Sequence, residues 1–242
     1  MSIETFTTRA TILARLRANA PADASADAVY ALDARIDAHF AQQRIQAPAS
    51  SAQQLQRFTQ MLEAAHAEVV CASASAWPAE LASRLAAAHV KRLLLDTASD
   101  EGAALVRALP STIEALPFAQ SIETWKSELF ETVDAGFTVA RSGVAATGTL
   151  LVVPDAGAPR TVSLVPPLHV ALIHASTLHA DLHAAAADER WRDGMPTNLV
   201  MISGPSKTSD IQQTTAYGAH GPRALWVVVV TDDDRADHGG VQ

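Results

Sequence analysis

Apolar residues recur at every third or fourth position through the first third of the chain. The repeat runs through positions 12–16, 29–40 and 55–65, with several alanines between the apolar positions. This spacing places the apolar side chains on one face of a helix, and alanine favours the helical backbone. Proline and small polar residues interrupt the pattern at 47–54. We therefore predict a helical N-terminal segment over residues 1–66, whose apolar faces form packing or partner contacts.

From residue 67 onward, short apolar runs replace the long periodic stretches. The first runs lie at 67–72 and 92–95, and they alternate with helical segments that begin at Trp77 and at Ser99. Alternation of short strands with helices is typical of βαβ units, which build parallel sheets. The pattern therefore predicts an α/β fold with a mainly parallel sheet flanked by helices.

The second half of the chain is richer in predicted strands. Six short apolar runs are predicted as strands, namely 137–140, 149–153, 161–164, 170–173, 198–202 and 224–230. The last run is the most apolar, as expected for a central strand covered on both faces. Residues 154–160 are predicted as a hairpin-type loop, and 176–191 as a helix. We assign the α/β domain to 67–235 and a polar tail to 236–242.

Composition limits the classes of partner and cofactor. Asp and Glu total 26 against 18 Lys and Arg, a net charge of −8, which disfavours general attraction to nucleic acid or anionic lipid. The single cysteine, Cys71, excludes an internal disulfide framework and a cysteine-ligated iron–sulfur cluster. No signal peptide is evident, and no stretch approaches the roughly 18 apolar residues of a membrane span. We expect a cytoplasmic protein with no membrane span, no nucleic-acid partner and no resident cofactor.

The first segment with unusual residue choices is a Thr-Gly-Thr at the start of a predicted strand. Glycine allows a positive φ or a close backbone approach, and the flanking hydroxyls of Thr147 and Thr149 can bind an anion. In the alternative interpretation, Gly148 serves only a bulged entry into the strand. The spacing alone does not separate the two interpretations.

The second segment, SGPSKTSDI, joins a predicted strand to a predicted short helix. Unpaired N–H groups at a helix start attract anions, and Ser206, Lys207 and Thr208 would add hydroxyls and a cation after Gly204. In the alternative interpretation, Ser206 or Thr208 caps the helix and Asp210 interacts favourably with its dipole. The segment is not a Walker A motif, because the second glycine and its spacing are missing.

The third segment, YGAHGPRALW, places His220 directly before the strongly apolar run. Gly221 and Pro222 make a stiff turn, from which a histidine can face a cleft at a sheet edge. The alternative is a histidine that hydrogen-bonds the backbone and fixes the turn. Together the three segments supply the candidate anion-binding residues, namely Thr147, Gly148, Thr149, Gly204, Ser206, Lys207, Thr208, Asp210, His220 and Gly221.

Histidine spacing does not indicate a metal site. His179 and His183 are four residues apart on a predicted helix, with His174 upstream, but no third ligand is evident. His169 lies inside an apolar run and is predicted to be a hydrogen-bonded core residue. Cys71 is predicted to be an inert, small hydrophobic residue. The motifs GxSxG, CxxC and GxGxxG are absent, so several common enzyme classes have no support.

In chain order, the three segments resemble the LutC/YkgG family of lactate-utilization proteins, which carry the LUD domain. The resemblance rests on TGT, SLVPP, GPSKTSDI and GAHGP, and it is strong over about residues 130–232. It implies a fold of the NagB/RpiA/CoA transferase-like group, whose members bind phosphorylated or carboxylated ligands near the C-terminal ends of strands. It also implies a cytoplasmic role in oxidising L-lactate to pyruvate beside iron–sulfur partner proteins.

One residue departs from the pattern of this family. Ala146 precedes the Thr-Gly-Thr, where the family commonly has an acidic residue. If that carboxylate were a general acid or base, this chain would lack it, which weakens a simple enzyme interpretation. Whether the chain is an enzyme stays open.

Two functional hypotheses follow from the resemblance and from the three segments. The first is an accessory, non-redox component of an L-lactate utilization system, with the redox centres on iron–sulfur partners. The alternative is a small-molecule enzyme or sensor that binds an anionic ligand, a carboxylate or phosphate, in a pocket at strand C-termini. A third interpretation makes the glycine-rich turns purely architectural. A homo-oligomer is compatible with each hypothesis.

Overall fold

Contacts divide the chain into two compact units, Met1–Ala47 and Pro48–Gln242. The first unit contains helices α1 (Ile3–Ala18) and α2 (Ala26–Gln46). No helix in the described part of the chain is long and apolar enough to cross a membrane. The fold comes from a computed structural model, which describes residues 3–19, 25–46, 50–209 and 215–231.

The second unit contains the remaining described elements. Its helices are α3 (Ser51–Ala64), α4 (Trp77–Ala87), α5 (Asp100–Ala108), α6 (Ile122–Glu131), α7 (Thr161–Leu164) and α8 (Leu182–Asp188). Its strands are β1 (Glu68–Ser73), β2 (Arg92–Leu94), β3 (Glu114–Leu116), β4 (Ala135–Val139), β5 (Ser142–Val144), β6 (Thr149–Val152), β7 (Leu168–His174), β8 (Leu178–His179), β9 (Val200–Ile202), β10 (Lys207–Ser209), β11 (Thr215–Tyr217) and β12 (Ala224–Thr231).

The larger sheet has six strands, all parallel, in the order β1-β12-β7-β4-β2-β3. In its register Val70 pairs with Val228, which pairs in turn with Leu172. Val227 and Val228, on opposite faces of β12, are both buried, as predicted for a central strand. The parallel sheet flanked by helices confirms the predicted fold class.

A smaller sheet lies beside the larger one, with the strand order β8-β5-β6-β9. It is mixed, because β5–β6 and β6–β9 are antiparallel and β5–β8 is parallel. One apolar cluster joins this sheet to β7, β12 and α3 through residues such as Leu150, Ile173 and Phe58. On the opposite face of the larger sheet, α4 and α5 pack through Trp77 and Leu105.

Helix α3 is an integral part of the α/β unit. Ser50 caps it, since the Ser50 hydroxyl accepts a hydrogen bond from the Gln53 N–H and the Gln53 side chain reaches back to Ser50 N–H. Phe58 and Leu62 are completely buried in the cluster between the two sheets. The division of the chain into the two units therefore does not coincide with the predicted division after residue 66.

The predicted strand at 161–164 is wrong, because Thr161–Leu164 forms the short helix α7. The helix begins after Pro159, whose carbonyl accepts a hydrogen bond from Val162 N–H, and Val162 is fully buried beside α6. Residues 154–160 therefore lead into a helix and do not form a hairpin loop. Short apolar runs look alike in a buried strand and in a buried helical turn, so the pattern could not separate them.

The predicted helix over 176–191 is only partly correct. A 3₁₀ turn at Ala175–Thr177 and strand β8 occupy its first part, and α8 begins where the Asp181 carboxylate accepts a hydrogen bond from Ala184 N–H. Asp181 therefore provides the N-cap, because a carboxylate satisfies the free N–H groups of the first turn. His179 lies on β8 and His183 on α8, so the two histidines do not share a helix.

Candidate functional site

A cavity of about 250 Å³ opens at the amino ends of β7 and β12, beside the free edge of β9. Its polar lining consists of Ser163, His169, Ser203, Ser206 and His220. Its apolar lining consists of Leu164, Val200, Met201, Ile202, Pro205, Pro222 and Leu225, and Gly204 and Gly221 complete the wall. None of the described lining residues is Lys, Arg, Asp or Glu.

Two of the three predicted segments meet at this cavity. Ser206 N–H donates to the Pro222 carbonyl at 2.8 Å, and Gly218 N–H donates to the Ser206 carbonyl at 2.9 Å. A Cβ on Gly221 would lie 3.2 Å from the Ser206 Cβ, so the two loops are in close contact. The structure therefore brings Gly204, Ser206, His220 and Gly221 together, as one wall of the cavity.

The Thr-Gly-Thr segment reaches the cavity only through hydrogen bonds. The Oγ atoms of Thr147 and Thr149 are 2.7 Å apart, and Thr149 Oγ1 lies 2.8 Å from Ser203 Oγ on the cavity wall. Gly148 has a φ of +60°, and a Cβ there would lie 2.7 Å from the Met61 Cβ on α3. Gly148 therefore serves the packing of its turn on α3, which supports the architectural interpretation at this position.

The second segment does not start a helix in its described part. Lys207 and Thr208 lie on β10, which pairs with β11 in an antiparallel hairpin, so no described helix start is available to attract an anion here. Neither residue belongs to the described cavity lining, and Lys207 is exposed. Asp210 lies outside the described residues.

His169 lies at the floor of the cavity, although its position within an apolar run predicted only a core residue. His169 is 1% exposed, and its Nε2 lies 2.8 Å from the hydroxyl of Thr138, which confirms the predicted hydrogen-bonded core histidine. Burial lowers the pKa of His169 to about 3, so its imidazole is neutral at physiological pH. A histidine within an otherwise apolar run was the only signal in the sequence for this position.

The cavity lies at the opposite end of the larger sheet from the predicted pocket. His169 and Leu225 are the second residues of β7 and β12, so the cavity is at the amino ends of these strands. The prediction of a site at strand C-termini is wrong for these residues, because His220 and Gly221 directly precede a parallel strand. Only β9 contributes its carboxyl end, through Ser203.

His220 is exposed at the mouth of the cavity. No hydrogen bond joins its ring to any residue that the structure describes, so the predicted alternative of a turn-locking histidine gains no support from this part of the chain. An imidazole at this position is accessible to a ligand from solvent.

Neither the cysteine nor the acidic and histidine side chains form a metal site within the described ranges, since no group of three such residues is suitably placed. Cys71, predicted to be an inert, small hydrophobic residue, is exposed on the edge strand β1. Desolvation of its sulfur, and to a smaller extent the negative charge of the nearby Glu63 carboxylate, raises the pKa of the Cys71 thiol. The thiol is therefore a poor nucleophile at neutral pH.

Comparison with known proteins identifies the family. The family model of the LUD domain matches residues 55–230, which include most of α3 and the whole cavity wall. The chain belongs to the LUD domain family. This range agrees with the packing of α3 in the second unit, and it confirms the resemblance drawn from the three segments.

Named relatives of the LUD domain give a context for the chain. An uncharacterized protein of Neisseria meningitidis serogroup B is 40% identical over 186 residues, which are 76% of this chain and 80% of that protein. Lactate utilization protein C of Shouchella clausii is 36% identical, over 43% of this chain and 47% of that protein. The protein of the same name from Halalkalibacterium halodurans is 35% identical, over 46% and 53%. The chain thus matches about half the length of these lactate utilization proteins.

A solved structure supports the fold. The crystal structure of a DUF162 family protein from Deinococcus radiodurans aligns with 76% of this chain and 99% of its own, with a TM-score of 0.57. The two sequences are 22% identical, so this similarity concerns the fold alone.

Proposed function

We propose that this LUD domain protein takes part in L-lactate utilization as an accessory, non-redox component. The names of the relatives that match its α/β domain support this role. The conversion of L-lactate to pyruvate releases two electrons, which need a redox centre to accept them. With one cysteine in its sequence, the chain has no set of thiolates for an iron–sulfur cluster, so we assign the electrons to iron–sulfur partner proteins.

The contribution that we propose for the chain is a binding site for a small carboxylate. The observation that carries this proposal is the meeting of two signature segments at one cavity, where Ser203, Ser206 and His220 supply hydrogen-bonding groups. Cavities with mostly apolar walls and a few convergent polar groups are typical ligand sites. A carboxylate at the mouth would meet hydroxyl donors and the His220 imidazole.

A binding role fits this site better than acid–base catalysis at the Thr-Gly-Thr. Ala146 is exposed and is not among the cavity-lining residues, so an acidic side chain at that position would not line this cavity. The alternative of an independent enzyme rests on the same cavity. It predicts that the purified chain alone converts a small carboxylate, whereas the accessory role predicts no turnover without partners.

Growth on L-lactate tests the proposal. A strain without the gene, and without any paralogue, should fail to grow on L-lactate and should recover with the wild-type gene. Ser203→Phe should not restore growth, because the ring would fill the mouth of the cavity from an exposed position. Ser83→Phe is the matched control, since Ser83 is exposed on α4 away from the cavity, and it should restore growth.

This experiment tests the role in lactate utilization and the function of the cavity separately. Normal growth of the deletion strain on L-lactate would contradict the role in lactate utilization. Full recovery with Ser203→Phe would leave that role in place and would contradict the function of the cavity. Immunoblots of each strain should show equal amounts of protein, so that a loss of growth is not a loss of folding.

A further inference from the structure

The candidate cavity changes in chemical character from its floor to its mouth. The floor is formed by Ser163, His169 and Leu225, which are 2%, 1% and 1% exposed. The mouth is formed by Met201, which is 47% exposed, together with exposed Ser203 and His220. A ligand therefore has one end in a dry environment and the other end near water.

The floor offers no charge to a ligand. His169 is neutral there, Ser163 Oγ donates its hydrogen bond to the Arg160 carbonyl, and Leu225 is apolar. A carboxylate placed at the floor would lose its hydration without gaining an opposite charge, which is strongly unfavourable. An uncharged oxygen or a methyl group would suffer no such loss.

The hydrogen bond between His169 and Thr138 can form with either neutral tautomer of the imidazole. With Nε2 engaged by the Thr138 hydroxyl, Nδ1 is the ring nitrogen left for a ligand. If Nε2–H donates to Thr138, Nδ1 accepts a hydrogen bond, which suits a ligand hydroxyl. If the Thr138 hydroxyl donates to Nε2, Nδ1–H is the donor, which suits a ligand carbonyl. The same pair can therefore serve an alcohol and a ketone.

We propose that the cavity selects short monocarboxylates, in both their 2-hydroxy and 2-oxo forms, and excludes dicarboxylates of similar size. The ligand enters with its uncharged end first, its carboxylate stays at the mouth, and His169 is the residue that positions the uncharged oxygen. This inference rests on the proposed carboxylate site. It adds the class of ligand, its orientation and the residue that determines specificity.

Calorimetric titration of the purified full-length protein with a panel of acids tests the inference. L-lactate and pyruvate should bind with similar affinity, and L-malate and oxaloacetate at least about a hundredfold more weakly, because their second carboxylate would occupy the floor. Propionate, which lacks the uncharged oxygen, should bind about tenfold more weakly than L-lactate. 2-Hydroxybutyrate should bind up to about fourfold more tightly than L-lactate, since one more methylene is buried.

Variants of His169 supply a second readout. His169→Phe keeps a ring but removes both nitrogens, so L-lactate should lose its advantage over propionate while the dicarboxylates remain excluded. His169→Gln keeps a donor and an acceptor and should retain part of the advantage. A purely structural role for His169 would change all affinities together and leave their ratios unaltered. Thermal unfolding of each variant establishes that it is folded before it is titrated.

The outcomes separate this inference from the proposed function. Binding of L-malate as tight as that of L-lactate would overturn the inference alone, as would an unchanged lactate-to-propionate ratio in folded His169→Phe. The absence of binding by every acid in the panel would overturn the proposed carboxylate site and the inference with it. If His169→Phe does not fold, the ratio of the L-lactate affinity to the L-malate affinity of the wild-type protein still tests the inference.

Discussion

His169 couples the stability of the fold to pH. Its pKa is lowered from an ordinary 6.5 to about 3 by burial, so between these values the unfolded chain holds a proton that the folded chain does not. The free energy of unfolding therefore falls as the pH drops below about 6.5. We expect this residue alone to remove about 2 kcal/mol between pH 7 and pH 5, measured by urea unfolding at the two pH values.

A pair of asparagine variants isolates this effect. His169→Asn should reduce the loss of stability between pH 7 and pH 5 by the expected amount, whatever its own stability at pH 7. His89→Asn is the control, because His89 is exposed and has a φ of 57°, which asparagine also tolerates. An equal pH dependence in wild type and His169→Asn would show that His169 is charged in the folded protein.

Gly148 has both a left-handed backbone conformation and a close neighbour, so substitution of this glycine is costly. Gly148→Ala should cost about 3 kcal/mol, since alanine is disfavoured at a φ of +60° and its Cβ would meet α3 at 2.7 Å. The control is the difference in stability between His89→Ala and His89→Gly, because His89 is exposed at a φ of 57° and so measures the cost of alanine at this φ without a close neighbour. If chemical denaturation shows that Gly148→Ala costs no more than this difference, the contact with α3 is not tight.

The spacing of residues in the sequence predicted the position of one site residue and missed the positions of two others. Glycine and proline around His220 predicted a rigid turn at an opening, and the structure places His220 there. Lys207 looked equally favourable, but its place on a strand depends on pairing with β11, a contact that local pattern does not contain. His169 was recognised only as a core residue, because its role at the cavity floor arises from separate segments that fold together.

At the scale of elements, the start of α3 depends on a local hydrogen-bonded cap. Ser50→Ala should lower the free energy of unfolding by about 1 kcal/mol, because it removes the acceptor for Gln53 N–H. Ser51→Ala is the matched control, since Ser51 is the adjacent serine and lies within the helix, and it should change stability much less. Urea unfolding of the two variants measures the difference, and equal losses would contradict the capping role.

Elements were predictable where length and periodicity agree with a single structure. The run at 224–230 is long and rich in valine, and it forms the interior strand β12, between β1 and β7. The run at 161–164 has four residues, and its conformation was decided by the burial of Val162 beside α6. Strand β5 has only three residues and carries a glycine, so it left no pattern to recognise. Tertiary packing determined these short elements.

At the scale of the molecule, the packing of α3 decides whether the α/β domain begins near residue 48 or near residue 67. A fragment of residues 48–242 retains α3, whereas a fragment of 67–242 loses Phe58 and Leu62 from the cluster between the sheets. The shorter fragment should be less stable by at least about 4 kcal/mol, since two large buried side chains are removed. Thermal unfolding followed by circular dichroism measures this. Equal midpoints for the two fragments would place the start of the domain after α3.

The fold also explains why the functional site was misplaced along the strands. Parallel α/β sheets bind ligands most often at the carboxyl ends of their strands. Here the smaller sheet and the loop after β9 wall in the amino ends of β7 and β12, which creates an enclosed space at the other end. Such a second sheet could not be anticipated from the order of strands and helices, because its strands are short and the pairings of β5 with β8 and of β6 with β9 join segments distant in sequence.

The proposed function places the chain beside iron–sulfur proteins and gives it a site for a small carboxylate. Native mass spectrometry of the protein, isolated gently from lysate of its host grown on L-lactate, tests both parts in one measurement. We expect an assembly that contains this chain together with iron–sulfur proteins, and a mass increment that matches a short monocarboxylate. A chain found alone or only with copies of itself, without any bound carboxylate, would rule out both the accessory role and the carboxylate site.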